Sequence, residues 1–235
     1  MTLLQNLKLL YLKLKSNKLI ILILLFYVGI RIFYWSNVSI FEDHDSVGLL
    51  FQAKAFQSLN LDEILQLSPD LLPFYPIVVA FVGFIAGNLE FAARLTSFLF
   101  SIILFFTIYG IGRKISDKAG IFAALILIVF NPVLVRLSYS ILTEPSYIAI
   151  IYLGLWFYIL QSNKPDYLMA VFIGLSFGIA FLCRVEGILY LVFIPFLQSI
   201  HYIVFRRKQS YSYGKLIRWN LVFILVFLFL AVPHI

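Results

Sequence analysis

Residues 71–88 read LLPFYPIVVAFVGFIAGN, a stretch without a single charge. Whether it crosses a membrane decides the arrangement of everything after it, because one extra crossing moves every later loop to the opposite side. Its length is at the lower limit for a hydrocarbon layer of about 30 Å. Pro73 and Pro76 also interrupt its start. Loop charge settles the parity. If 71–88 does not cross, Lys8, Lys13, Lys15, Lys18, Arg113, Lys114, Lys118, Lys164, Arg206, Arg207, Lys208, Lys215 and Arg218 share one side, 13 of the 18 basic residues. Arg31, Lys54, Arg94, Arg136 and Arg184 lie on the other side or near it. The positive-inside rule assigns the larger group to the cytoplasm. The acids cluster opposite: Glu42, Asp43, Asp45, Asp62, Glu63, Asp70, Glu90, Glu144 and Glu186, against Asp117 and Asp166 inside. The stretch is therefore expected to be a re-entrant or surface-lying segment.

Composition requires the membrane. The chain has 235 residues, of which 63% are hydrophobic and 12% charged, and its mean hydropathy is +1.00. A soluble domain of this size cannot bury that much apolar surface. The net charge of +7 does not point to nucleic acid, because the basic residues sit in short loops between apolar runs, where they set topology. The single cysteine, Cys183, excludes an internal disulfide and a cysteine metal cluster.

The expected fold class is all-α: a polytopic membrane helix bundle with about seven transmembrane helices and juxtamembrane helices on the outer face. Residues 1–18 form a basic cytoplasmic lead-in. Spans are expected at 19–35, 91–112, 119–139, 145–160, 167–183, 187–205 and 216–232, within one module covering 19–235. The first run follows four lysines and lacks a small-residue cleavage site, so it reads as a retained anchor. Residues 36–90 form the first outer loop, with one or two surface helices between Val47 and Leu67. Gly174 and Gly178 form a small-xxx-small pair suited to close helix packing. The chain stops at Pro233-His234-Ile235 as the last helix ends, so it reads as the amino-terminal part of something longer.

Three outer loops carry the polar groups: Glu42-Asp43-His44-Asp45, Leu142-Thr143-Glu144-Pro145 and Arg184-Val185-Glu186-Gly187. Each has a plain structural reading. Asp45 or Ser46 could cap a surface helix. Thr143-Glu144-Pro145 is good helix-start chemistry. Arg184 and Glu186 could be a local interfacial ion pair. Glu90 and Arg94, four apart at a helix start, default to an intrahelical pair. His44 could ligate a metal beside Asp43 and Asp45, although a lone histidine in a polar loop is usually solvated.

Taken in order, DSVGLLFQAKAF (45–56), LPFYPIVVAFVGFIAGNLEFAARLTSFLFS (72–101), NPVLVRLSYSILTEP (131–145) and FLCRVEGIL (181–189) resemble the GT-C fold glycosyltransferases. The nearest group is the family 39 and family 83 type, which includes protein O-mannosyltransferases, lipid A aminoarabinose transferases and galacturonosyltransferase-like proteins. The resemblance covers roughly residues 20–200. It implies a polyprenyl-phosphate-linked sugar donor, a lipid, glycan or protein acceptor, and a site on the outer face of a bacterial plasma membrane. It also implies Asp45 as catalytic base, with Asp43 as a substitute. Ser46 stands where these enzymes customarily have glutamate. Glu144-Pro145 fits their second acidic loop, and Arg184 and Glu186 fit an Arg-x-Glu-Gly pattern.

A carboxylate that takes the proton of an attacking acceptor hydroxyl, in one displacement, inverts the sugar carbon. The donor phosphate needs positive charge from Arg184, Lys54, Arg94 or Arg136, or from a divalent ion held by Glu144 and His44. Two rival readings remain: a transporter or flippase of lipid-linked sugar, with ionisable groups at mid-membrane and interrupted helices, and an inactive fragment.

Overall fold

The computed structural model describes residues 18–37, 44–59, 72–161, 165–204 and 212–234. Among them there is helix and no strand. In chain order the helices are α1 (Lys18–Asn37), α2 (His44–Ser58), α3 (Phe74–Ala86), α4 (Leu89–Ile115), α5 (Lys118–Phe130), α6 (Pro132–Leu137), α7 (Glu144–Leu160), α8 (Tyr167–Cys183), α9 (Leu189–Val204) and α10 (Tyr213–Ala231). A 3₁₀ turn, Val185–Ile188, leads into α9. Four helical stretches are long and apolar enough to cross a membrane: Lys18–Asn37, Leu89–Ile115, Val185–Val204 and Tyr213–Ala231. α7 and α8, with 17 residues each, reach about 25 Å at 1.5 Å per residue. The protein is an integral membrane helix bundle.

α4 is the central mast. On one side α1 runs antiparallel to it. Trp35 meets Phe91 and Phe98, the Tyr27 hydroxyl donates to the Ser101 carbonyl at 2.7 Å, and Ile20 clusters with Phe105 and Tyr109. On the other side α7 runs parallel to it, with Trp156 covering Gly110. α8 returns antiparallel to α7, and α10 packs along α8 in the same direction as α8. Gly174 and Gly178 face this last contact: a Cβ on Gly174 would lie 2.9 Å from the Phe223 carbonyl oxygen, and one on Gly178 2.9 Å from Leu230. Aromatic rings of α8 and α10 (Phe177, Phe181, Trp219, Phe223, Phe227) fill the core there.

These contacts sort the charges. Lys18, Arg113, Lys114, Lys118 and Lys215 lie at one end of the bundle. Glu90, Arg94, Glu144, Arg184 and Glu186 lie at the other. α3 belongs wholly to the acidic end. Its first turn abuts α4 at Ala93, Ser97 and Phe100, and its last turn comes back to Leu89 at Gly83. It therefore runs antiparallel along only the first three turns of α4 and does not traverse the bundle. Gly87, at φ +71°, makes the left-handed turn between them, and Asn88 caps α4.

The third expected span, 119–139, is not one helix. α5 ends at Phe130 and α6 starts at Pro132. Proline brings no N–H, so the helical ladder stops there. The Asn131 carboxamide oxygen accepts from Val133 N (3.0 Å) and Leu134 N (3.1 Å) and starts the new helix. The break also frees the Ile128 carbonyl, whose helical donor would be residue 132. Arg31 fills that gap. It is fully buried, one Nη donates to Ile128 O at 3.1 Å, and its guanidinium lies 3.3 Å over the Tyr27 ring. The sequence places Arg31 outside or near the outer end of its span; the structure shows it as a buried strut there, between α1 and the break after α5.

Candidate active site

Two of the three polar loops converge, and helix α2 closes over them. A cavity of about 410 Å³ opens at the acidic end, lined by Asp45, Glu144, Arg184, Glu186 and Thr143, with Leu49, Leu72, Leu142, Val185 and Cys183 as its apolar wall. Residues some hundred positions apart in sequence thus share one concave surface.

Asp45 sits in the first turn of α2 and is exposed at the cavity rim. The helix starts at His44, earlier than the sequence suggested. Asp45 and Ser46 therefore lie inside its first turn, and neither is an N-cap. Ser46 is buried and donates from its hydroxyl to the Ile141 carbonyl at 3.1 Å. That bond joins α2 to the loop leading into Glu144.

Residues 138–143 form no regular structure, yet Ser138, Tyr139, Ser140 and Ile141 are all buried. Their carbonyls need donors. Ser97 of α4 donates to Ser140 O at 2.7 Å. The Tyr75 hydroxyl, on α3, lies 3.0 Å from both Ala93 O and Ser97 Oγ. It shares its hydrogen between them and leaves that of Ser97 for Ser140. Four elements are pinned together by three hydroxyls, and only Ser46 was noticed in the sequence, for a different reason.

Glu144 opens α7, where the helix dipole favours an acid. Thr143 occupies the cap position but makes no side-chain cap bond, so helix capping does not account for this tripeptide. Instead Glu144 pairs with Arg184 Nη1. Arg184 ends α8 in extended backbone and also chelates Glu186, Nη2 at 3.1 Å and Nε at 3.3 Å. The turn that carries them is tight: Gly187 N donates to Arg184 O at 2.9 Å, and a Cβ on Gly187 would lie 2.4 Å from Phe181 N. Only glycine lets the turn sit this close to α8. The hydrogen bonds that Arg184 donates to Glu186 raise the Arg184 pKa above its already high value, against partial desolvation and with help from the charges of Glu144 and Glu186. Arg184 is a fixed cation with five N–H groups, of which these bonds use three. Two remain for a ligand oxygen.

Three other candidates, Lys54, Arg94 and Arg136, do not line the cavity. Lys54 is exposed farther along α2 and does not line it. Arg94 pairs with Glu90 at 2.6 Å, the intrahelical bridge its spacing suggested, and is likewise outside the lining. Arg136 is exposed on α6. Asp43 and the His44 side chain lie outside the described residues. Among the described residues no three His, Cys, Asp or Glu side chains stand together as a metal site, and Glu144 is already engaged by a cation. No step below uses a divalent ion.

Residues 69–235 match the family profile of the dolichyl-phosphate-mannose-protein mannosyltransferases. The chain belongs to that family. Membership makes it a membrane glycosyltransferase and implies a lipid-linked sugar donor and an acceptor. No curated protein and no solved structure matches the chain. The mannosyltransferase-family match includes Glu144, Arg184 and Glu186 and stops short of Asp45, which reaches the same cavity from outside the matched region.

Proposed function

We propose that the protein transfers a sugar from a polyprenyl-phosphate donor to an acceptor hydroxyl, with inversion, at the acidic end of the bundle. Seven helices cross the bilayer in this reading: α1, α4, α5 with α6, α7, α8, α9 and α10. α3 dips into the outer face without crossing, and the cavity faces away from the cytoplasm. The charge asymmetry between the two ends supports that orientation.

The observation that carries the reading is the shared cavity of Asp45, Glu144 and Arg184. Arg184 receives the donor phosphate with its two unused N–H groups, while Glu144 and Glu186 hold the guanidinium plane in place. Asp45, at the rim and facing the acceptor's approach, takes the hydroxyl proton as oxygen attacks the anomeric carbon. The bond to phosphate breaks on the opposite face, and the lipid phosphate leaves as an anion that needs little acid assistance. A volume of about 410 Å³ accommodates a hexosyl phosphate, while the lipid tail stays in the bilayer.

The test is Asp45→Asn in membranes supplied with lipid-linked sugar. Transfer should fall about 10²–10⁴-fold, the range general-base catalysis contributes, with donor binding retained. Full activity would remove Asp45 from the reaction.

A further inference from the structure

We propose that Ser46 is a positioning residue for sugar transfer: through its bond to the Ile141 carbonyl it holds Asp45 in register with Glu144 and Arg184. The inference rests on the reading of Asp45 as base. Asp45 stands on α2, Glu144 opens α7, and Arg184 ends α8; no covalent neighbour joins the first to the others. The Ser46 hydroxyl makes that junction one residue from Asp45, and Ile141 lies three residues before Glu144. The receiving loop is itself fixed from the opposite side through Ser97 and Tyr75, so the bond anchors α2 to something rigid. Proton abstraction demands geometry held to fractions of an ångström, and a displacement of about 1 Å can cost about a hundredfold in rate.

The same contact predicts how the site responds to a carboxylate at this position. Position 46 is buried, and what it faces is a carbonyl oxygen. A hydroxyl donates to it; a carboxylate offers only acceptors and would be repelled. Ser46→Glu is therefore harmful in this chain.

The experiment measures transfer kinetics in membranes for Ser46→Ala, Ser46→Glu and Asp45→Asn beside the unaltered protein, with the melting temperature of each after detergent extraction. Ser46→Ala should lower kcat about tenfold per folded molecule, leave KM for the lipid-linked donor within about twofold because Arg184 is untouched, and lower the melting temperature by only about 2–4 °C, the cost of one buried carbonyl losing its donor. Ser46→Glu should be slower still. Ser46→Ala at the normal kcat, or Ser46→Glu as fast as the unaltered protein, overturns the proposal. So does a Ser46→Ala defect confined to KM or to melting temperature. If either result comes with an inactive Asp45→Asn, only the role of Ser46 falls. If Asp45→Asn is fully active, the base assignment falls first and this inference with it.

Discussion

Two arginines in this molecule occupy contrasting surroundings. Arg31 is fully buried and has no carboxylate partner among the described contacts. Arg184 is about one-third exposed and holds two carboxylates. By burial alone Arg31 is the more suspicious group, since charges inside membranes usually mark transport or catalysis. Together with the broken helix at Asn131-Pro132, it has the look of a transporter feature. Its contacts say otherwise. It serves a carbonyl that Pro132 leaves without a donor, and its guanidinium is covered by the Tyr27 ring. Arg184 has N–H groups to spare and faces a cavity. Arg31 too leaves a donor unused, its Nε, but that atom is sealed inside the bundle; what separates a structural charge from a working one here is whether its spare donors open onto a cavity.

The comparison breaks most visibly if Arg184 can be lost cheaply. Arg184→Gln should reduce kcat/KM for the lipid-linked donor by a hundredfold or more, roughly the loss of one preorganised donor to a charged transition state. A tenfold rise in ionic strength should not restore it. Steady-state transfer in proteoliposomes reads this directly. Near-normal turnover would mean the donor phosphate binds elsewhere.

Gly187→Ala sharpens the same side of the contrast without touching a charge. A methyl group 2.4 Å from Phe181 N must push the turn away from α8, carrying Arg184 and Glu186 with it. Transfer should drop about tenfold by misplacement of the guanidinium. A variant with full activity would show that the turn tolerates displacement.

For Arg31→Met the expected effect is smaller and of another kind. Leaving Ile128 O without a donor destabilises by about 1–3 kcal/mol, partly offset because a cation is no longer buried. A net loss near 1 kcal/mol lowers the melting temperature by about 2–4 °C. Transfer per folded molecule should stay within about twofold. A large rise in donor KM would make Arg31 part of the site.

The smallest effect is the most specific. Pro132→Ala in the Arg31→Met background supplies an N–H that can close the ladder onto Ile128 O. It should recover about 1 kcal/mol, one hydrogen bond's net worth, whereas the same change beside an intact Arg31 should recover nothing. Equal effects in both backgrounds would uncouple the two residues.

Much of this was legible from residue order. Most helix positions follow from hydropathy, the charge sorting from loop composition, and the acid-bearing loops from the scarcity of acids in an apolar chain. All of these are local or additive properties, so a one-dimensional reading captures them. The Gly174 and Gly178 pair, read as a packing stripe, does meet α10. The break at Asn131-Pro132 was also present in the sequence, but the apolar run through it masked the proline.

Other relations depend on where distant segments meet. Which of four candidate cations lines the cavity was decided by packing: Arg184 does, and Lys54, Arg94 and Arg136 do not. That Ser46 donates to Ile141, Ser97 to Ser140 and Arg31 to Ile128 was equally unreadable, because each acceptor is a backbone carbonyl, which every residue carries and no side chain advertises. Hydrophobicity therefore laid down the helices and their two unlike ends, while the cavity arose only when buried carbonyls of an irregular loop had to find hydroxyl donors on neighbouring helices.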